Sequence, residues 1–204
     1  MSSYSGVLFN VHVLRHEKDL LQESVEEQGS PGIIRHNRRI LCHNDVFGLE
    51  YANVIYTLVI ELGNQTRHVV IRNARISDYS ALVRLWKGND ITIRAGDDRA
   101  GIKRLISRNP GMSSVALHNN KIVGAVLGSW DGRRGWLHHL AVQKGYRRQG
   151  IASMLITKAM VKMKHKKISL VKVEIYSENK ASRALFSKMG FRQYKKLLTY
   201  GKEL

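Results

Sequence analysis

Two arginines and a glycine, Arg147, Arg148 and Gly150, are the residues of this sequence whose types and spacing best suit chemistry. They follow an apolar run that predicts a buried strand ending at Val142, and a helical pattern begins at Gly150. The first N–H groups of a helix lack partners within it, and the helix dipole adds about half a positive charge there. Glycine lets a ligand approach the backbone, and the arginines add permanent charge. This junction therefore predicts a phosphate site.

Two histidines, His138 and His139, lie on the strand before this junction. An imidazole with a pKa of about 6.5 can take up and release protons at neutral pH. Because side chains alternate along a strand, we expect only one of the two to face a cleft. A histidine on an apolar strand is more often packed and hydrogen-bonded, so this role stays open for both residues.

The elements that must position these residues alternate between strand and helix. From residue 68 onward the predicted order is β-α-α-β-β-β-α-β-α-β, which is typical of a mixed α/β domain. Helices are predicted to begin near residues 77, 97, 150 and 179, and strands to cover 68–72, 113–118, 121–130, 137–142, 170–176 and the residues after 191.

The chain is predicted to divide into an N-terminal extension, residues 1–66, and a domain, residues 67–204. Residues 53–62 are rich in Val, Ile, Tyr and Thr, and predict a strand that pairs with the edge of the domain. The alternative is a loosely ordered extension that the domain does not need. His36, Cys42 and His43 have no further ligand at a recognised spacing, so no metal site is expected.

Charge is unevenly distributed along the 204 residues. Residues 1–68 carry six Lys or Arg and eight Asp or Glu, a net charge of −2. The remaining residues carry a net charge of +20, which gives the whole chain its net charge of +18. An anionic partner is therefore expected for the second part, either a phosphorylated cofactor or a nucleic acid. Its apolar runs fall short of the roughly 20 residues of a membrane span. One cysteine and the lack of a signal-peptide pattern favour a cytoplasmic protein without a membrane partner.

Two motifs resemble those of the GNAT superfamily of acetyl-CoA-dependent N-acetyltransferases, and the strand before the first is similar to the bacterial YpeA-like branch. The first motif is Arg147-Arg148-Gln149-Gly150-Ile151-Ala152, and the second covers residues 179–191. The resemblance spans roughly residues 69–204. It implies an α/β fold with a mixed central sheet, two splayed strands and about four helices, besides the N-terminal extension.

The resemblance also implies how acetyl-CoA would bind. The strand before the loop would pair with the pantetheine arm, the loop amides would hold the pyrophosphate, and further contacts would come from the second motif. The implied cofactor-binding residues are Leu140, Ala141, Val142, Arg147, Arg148, Gln149, Gly150, Ile151, Ala152, Asn179 and Phe186. Many relatives have a tyrosine at the position of Phe186, and it protonates the departing thiolate. Phenylalanine supplies no proton, which leaves water or Tyr176 as the donor.

Catalysis on an amine requires a group that takes its proton, because an ammonium ion has no lone pair. Glu174 lies five residues before Asn179, and the resemblance to ribosomal-protein N-terminal acetyltransferases implies a catalytic glutamate at that spacing. His139 and His138 are the alternative bases. The family also implies that a backbone N–H near Leu140 to Val142 stabilises the charge that develops on the acetyl oxygen.

The predicted function is transfer of an acetyl group from acetyl-CoA to a primary amine of a protein or small molecule, by direct attack in a ternary complex. One alternative is a CoA-binding regulatory module without turnover, suggested by Phe186. Another is a basic protein that binds nucleic acid or the ribosome, which is less favoured because the sequence lacks regularly spaced aromatics for base stacking. The oligomeric state, monomer or homodimer, stays open.

Overall fold

One mixed sheet organises the part of the chain that the computed structural model describes, residues 38–43, 55–62, 65–196, 198–200 and 202. Its order follows the sequence, β1-β2-β3-β4-β5-β6-β7, and every neighbouring pair is antiparallel except β6 and β7, which are parallel. The strands are β1 Arg38–His43, β2 Ile55–Leu62, β3 Gln65–Asn73, β4 Ser114–His118, β5 Lys121–Trp130, β6 Gly135–Val142 and β7 Val171–Val173.

Four α-helices flank this sheet, as the resemblance implies. They are α1 Tyr79–Lys87, α2 Arg99–Arg108, α3 Ile151–His165 and α4 Lys180–Lys188. Local signals explain several boundaries. The Asp98 side chain accepts a hydrogen bond from the Gly101 N–H at 2.6 Å and so caps α2. Asn119 and Asn120 take φ angles of 49° and 59°, as a tight turn between β4 and β5 requires.

The two faces of the sheet bury separate apolar clusters. On one face, β2, β3, β4 and β6 pack against α3 and α4, through residues such as Ile71, Leu137 and Leu155. On the other face, α1 and α2 cover the centre of the sheet, where Trp86 is fully buried near Leu127. The catalytic candidates of β6 must therefore lie on one of two defined sides, here named the α1/α2 side and the α3/α4 side.

The N-terminal part of the sheet comes from residues outside the predicted domain. Strand β2 pairs with β3 along most of its length, and β1 pairs with the other edge of β2. Residues 53 and 54 of the predicted strand lie outside the described residues, as does most of the segment 1–54. The division of the chain at residue 66 stays a prediction.

The C-terminal segment differs from the prediction of a last strand. The described residues after Met189 include no strand. Leu198 and Tyr200 are 74% and 87% exposed, so an apolar face that would hold a strand in register is missing there. None of the helices in the described ranges is both long and apolar enough to cross a membrane.

Candidate active site

Strands β6 and β7 separate after a short paired stretch. Only residues 135–137 of β6 pair with β7, where they face residues 171–173, although β6 continues to Val142. Within the described ranges, the edge of residues 138–142 that faces β7 therefore has no strand partner. Unpaired backbone N–H and C=O groups at a strand edge can bind an extended ligand by main-chain hydrogen bonds. This opening agrees with the splayed strands that the resemblance implies.

His138 and Glu174 are the first residues beyond the paired stretch. The last register pair is Leu137 with Val173, so these two side chains follow it on neighbouring strands. Two residues earlier, Lys172 Nζ lies 5.5 Å from the ring centre of Trp136, which places both of those side chains on one face. Alternation then puts His138 and Glu174 on the same face. Glu174 is exposed, and its charge partly opposes the lowering of the His138 pKa by burial.

The surroundings of His138 favour its neutral form. Burial is the main cause that lowers its pKa below the ordinary value of 6.5, and repulsion from His139 lowers the pKa further. The charges of Glu174 and Asp97 act in the opposite direction without reversing the shift. Its Nε2 lies 2.9 Å from Ser129 Oγ, and its ring stacks on Trp136 at 6.4 Å. A neutral imidazole can accept a proton at neutral pH.

A β-bulge lies in β6 where it passes the opening. Ala125 pairs with Ala141 and Leu127 pairs with His138, so one residue of β5 opposes two of β6. His139 is one of these two, and its φ angle of 49° is left-handed. In a bulge of this kind the extra residue stays out of the ladder and the strand is re-aimed. The bulge therefore leaves backbone groups unpaired beside the opening.

The bulge removes the alternation on which our expectation that only one of the two histidines faces a cleft was based. Leu137 packs on the α3/α4 side and Ala141 on the α1/α2 side, although strict alternation would place them on one face. His138 lies on the α1/α2 side, and His139 packs on that side too, with its ring 4.7 Å from that of Trp86. The inserted residue changes the alternation, so adjacent histidines share a side.

The loop between α1 and α2, residues 88–98, holds His139 in place. Asp97 Oδ2 lies 3.1 Å from His139 Nε2 and accepts a second hydrogen bond from the Arg94 N–H at 2.8 Å. The Arg94 guanidinium donates to the hydroxyl of Tyr176, just beyond β7. The loop thus contacts both sides of the opening. Sequence reasoning assigned Asp97 only to a helix start, and no spacing pattern signalled its contact with His139.

The predicted phosphate loop contains two residues with left-handed backbone. Gly150 is the N-cap of α3 with φ 82°, and it supplies no side-chain cap to the first-turn amides. Arg148 is also left-handed, with φ 62°, and its side chain is exposed. Backbone N–H groups in turns that contain left-handed residues can form a concave site for an anion. The contact of residues 147–152 with a phosphate group stays a prediction.

Arg147 and Gln149 stabilise this loop from within. Arg147 Nε donates to the Val142 carbonyl at 3.0 Å, and Nη2 donates to Asn89 Oδ1 at 2.6 Å. Gln149 is buried and donates to the Gly145 carbonyl at 3.2 Å, while its Oε1 has no hydrogen-bond partner among the described residues. The Arg147 guanidinium is thus turned back to β6 and to the loop between α1 and α2, and its predicted role with a phosphate stays a prediction.

The two predicted cofactor-binding residues of the second motif lie in different surroundings, one exposed and one buried. Asn179 is exposed, and its side chain accepts from the Ser182 N–H at 3.0 Å, which caps α4. Phe186 is 3% exposed and meets Phe191 edge-on at 5.0 Å within the α3/α4-side cluster. A helix cap and a core position explain both residues without a ligand, so their contacts with a cofactor stay predictions. No group of three or more His, Cys, Asp or Glu in the described ranges could hold a metal ion.

Comparison with known proteins gives one consistent result. The model of the acetyltransferase (GNAT) family matches residues 79–191. An acetyltransferase of Pectobacterium atrosepticum is 30% identical over 134 residues, which are 66% of this chain and 94% of the relative. An acetyltransferase of Sodalis glossinidius is 28% identical over the same shares of both chains.

Solved structures share the fold at lower identity. Ard1 from Thermoplasma volcanium superposes with a TM-score of 0.55 at 21% identity, covering 61% of this chain and 82% of its own. The PaiA N-acetyltransferase from Thermoplasma acidophilum, solved with coenzyme A, has a TM-score of 0.54 at 18% identity, covering 61% and 89%. At these identities the likeness concerns the fold alone.

Proposed function

Because the chain belongs to the GNAT family of acetyltransferases, we propose that it transfers the acetyl group of acetyl-CoA to a primary amine, with Glu174 as the first candidate to accept the amine proton and His138 as an alternative. The observation that carries this proposal is the separation of β6 and β7 directly before these two residues. It combines an open strand edge with two proton acceptors on neighbouring strands. The YpeA-like branch and the oligomeric state stay predictions.

Acetyl-CoA is the acyl donor of this family, as expected from the sequence, and it supplies the reactive thioester when bound. The first-turn amides of α3 and the left-handed Gly150 would hold the pyrophosphate. The unpaired edge of Leu140 to Val142 would bind the pantetheine arm as an added strand. One solved neighbour of 24% identity, the NatC complex, carries a Gag peptide and CoA in its crystal structure.

The proton acceptors have complementary properties. Glu174 is exposed, and its carboxylate would attract an incoming ammonium group. His138 is half-buried with a lowered pKa, and can take the proton as a neutral imidazole. Glu174 remains the first candidate for the base, with His138 and His139 as alternatives. The bulge at His139 would aim an unpaired N–H at the developing oxyanion.

The proton for the leaving thiolate has no source at position 186, because Phe186 carries no ionisable group. Tyr176 is 58% exposed, and its hydroxyl accepts the hydrogen bond of Arg94, which leaves its own proton available. A thiolate is a fair leaving group, so Tyr176 or water can serve this step.

The experiment is an acetyl-CoA turnover screen over peptides, polyamines and aminoglycosides, with release of free CoA as the readout. Replacement of the base should lower kcat by about 100-fold, the usual contribution of general-base catalysis. The variant is Glu174→Gln, and the matched control is Glu178→Gln, an exposed glutamate four residues later. Equal rates in the two variants would reject Glu174 as the base.

The alternative of a CoA-binding regulatory module is supported by Phe186 alone. It predicts thermal stabilisation by acetyl-CoA without turnover of any amine. Failure of the purified protein to bind CoA in calorimetry at low salt would reject both functions. The same screen with a chain that begins at Arg67 tests whether residues 1–66 contribute to catalysis.

A further inference from the structure

A shelf of aromatic and basic side chains adjoins the proposed proton acceptors. It consists of Trp136, Lys172 and Tyr194, together with Arg133 and Arg134 of the adjoining turn, which Asp131 connects to Trp136. Trp136 and Lys172 are register partners on β6 and β7, two residues before His138 and Glu174 on the same face. Two residues of extended chain span roughly 6.6 Å. The shelf therefore begins about two peptide positions from the place where the amine would react.

The centre of the shelf is held rigidly. Lys172 Nζ lies 5.5 Å from the ring centres of both Trp136 and Tyr194. The Trp136 indole donates to Asp131 Oδ2 at 2.9 Å, and its ring stacks on His138. A fixed indole with an ammonium group beside it provides a flat, positively charged surface.

The cations of the shelf are not neutralised by ion pairs. Among the described residues, neither Lys172 nor Arg133 nor Arg134 forms a salt bridge with a carboxylate. The nearby Asp131 carboxylate is directed into its own turn, where it accepts the N–H groups of Arg133 and Arg134 at 2.9 and 2.6 Å. Three cations beside one carboxylate leave the shelf with a net positive charge for a partner.

The charge pattern along the strands matches a particular acceptor. Glu174 provides negative charge where the ammonium group arrives, and the shelf provides positive charge farther along the same face. We propose that the acceptor is the N-terminal amine of a peptide that carries Asp or Glu at its second or third position. The amine meets Glu174, and the acidic side chains meet Lys172 and Arg134. This proposal rests on the proposed acetyl transfer and specifies its substrate class.

A peptide fits better than a nucleic acid. The shelf presents one fixed indole and one phenol ring around a single lysine, without successive stacking platforms. Glu174, at the reactive end, would repel a phosphate backbone but attracts an amine.

The test compares synthetic peptides that begin Ser-Glu-Glu with twins that begin Ser-Gln-Gln and Ser-Lys-Lys. The kcat/KM of the wild type should be about tenfold higher for the acidic peptide than for the neutral twin. It should be lowest for the basic twin. Lys172→Glu should abolish this preference and Lys172→Gln should reduce it. The control Lys164→Glu, an exposed lysine of α3, should keep it. Equal kcat/KM for the three peptides in the wild type would overturn the proposal.

A binding measurement separates this proposal from the acetyl transfer on which it rests. If no peptide is acetylated, fluorescence anisotropy of a labelled Ser-Glu-Glu peptide still measures peptide binding to the shelf. If Lys172→Glu weakens binding at least about fivefold and Lys164→Glu does not, the shelf is supported as a peptide-binding surface. In that case the proposal of acetyl transfer is the one that fails. No binding, or tighter binding of a labelled single-stranded RNA with the same dependence on Lys172, overturns the proposal.

Discussion

His139 Nε2 lies 3.1 Å from Asp97 Oδ2, although the two residues are 42 positions apart in the chain. His139 has a left-handed backbone, which costs a non-glycine residue roughly 1–2 kcal/mol. The contact with Asp97 and the packing on Trp86 offset this cost. The α1–α2 loop therefore stabilises the bulge from which the active-site strand takes its shape.

Loss of the Asp97 carboxylate should disturb this bulge. We expect Asp97→Asn to lower kcat/KM for acetyl transfer about tenfold, because a charged hydrogen bond contributes roughly 1.5 kcal/mol. Binding of CoA, measured by calorimetry, should change less than kcat/KM, because the Asp97 carboxylate contacts Arg94 and His139 and not the phosphate loop. Asp90→Asn is the matched control, an exposed aspartate of the same loop. Indistinguishable kinetics of the two variants would refute the role of Asp97.

The pKa of His138 should lie below 6.5, because burial and the neighbouring His139 disfavour its charged form. The imidazole should therefore stay neutral until the pH falls below that value. Glu174 acts in the opposite direction, so Glu174→Gln should lower the pKa of His138 further. An NMR titration of the imidazole protons, assigned with His138→Asn, measures both values. An upward shift in Glu174→Gln would contradict this arrangement.

Asp78 should contribute strongly to stability. It is buried, and its two carboxylate oxygens each accept from Arg72 at 2.8 Å. Burial opposes its ionisation, but the hydrogen bonds and charges of Arg72 and Arg75 outweigh it and lower its pKa below 3.8. Asp78→Asn leaves Arg72 without its partner, and should cost roughly 3 kcal/mol in urea denaturation at pH 7.

The sign of the pH effect at Asp78 follows from the lowered pKa. The stabilisation is complete above pH 3.8 and is lost as the pH falls through the folded-state pKa. The difference in stability between wild type and Asp78→Asn should therefore shrink as the solution is acidified. A difference that grows in acid would rule out the ion pair as its source.

Lys158 should make stability depend on alkaline pH. Burial, together with repulsion from Lys162, lowers its pKa from 10.5 to about 8, and its Nζ lies 5.4 Å from the ring of Tyr56. The unfolded chain then binds more protons between pH 8 and 10.5, so this group makes the folded state relatively more stable as the pH rises. Relative to wild type, the Tm of Lys158→Met should fall across that range. The exposed Lys164→Met should show no such trend.

Local signals in the sequence were sufficient for the four helices and for strands β2 to β7, but they did not predict β1. Caps such as Asp98, the Asn119-Asn120 turn and the glycine at the start of α3 act through contacts a few residues away, so their effect can be read without the fold. The motif around Gly150 also identified the family, which the match over residues 79–191 confirms. The predicted final strand is not found among the described residues after Met189, where Leu198 and Tyr200 are exposed.

Only the tertiary structure decided how the active-site side chains are arranged. The sequence shows His138 and His139 as neighbours that alternate, but the bulge places both on the α1/α2 side. It shows Arg147 beside a phosphate loop, but the side chain turns to Val142 and Asn89. It gives no sign of the pair between His139 and Asp97. These outcomes depend on strand register and on contacts between distant segments, whereas helix caps, turns and periodicity depend on residues near one another in the chain.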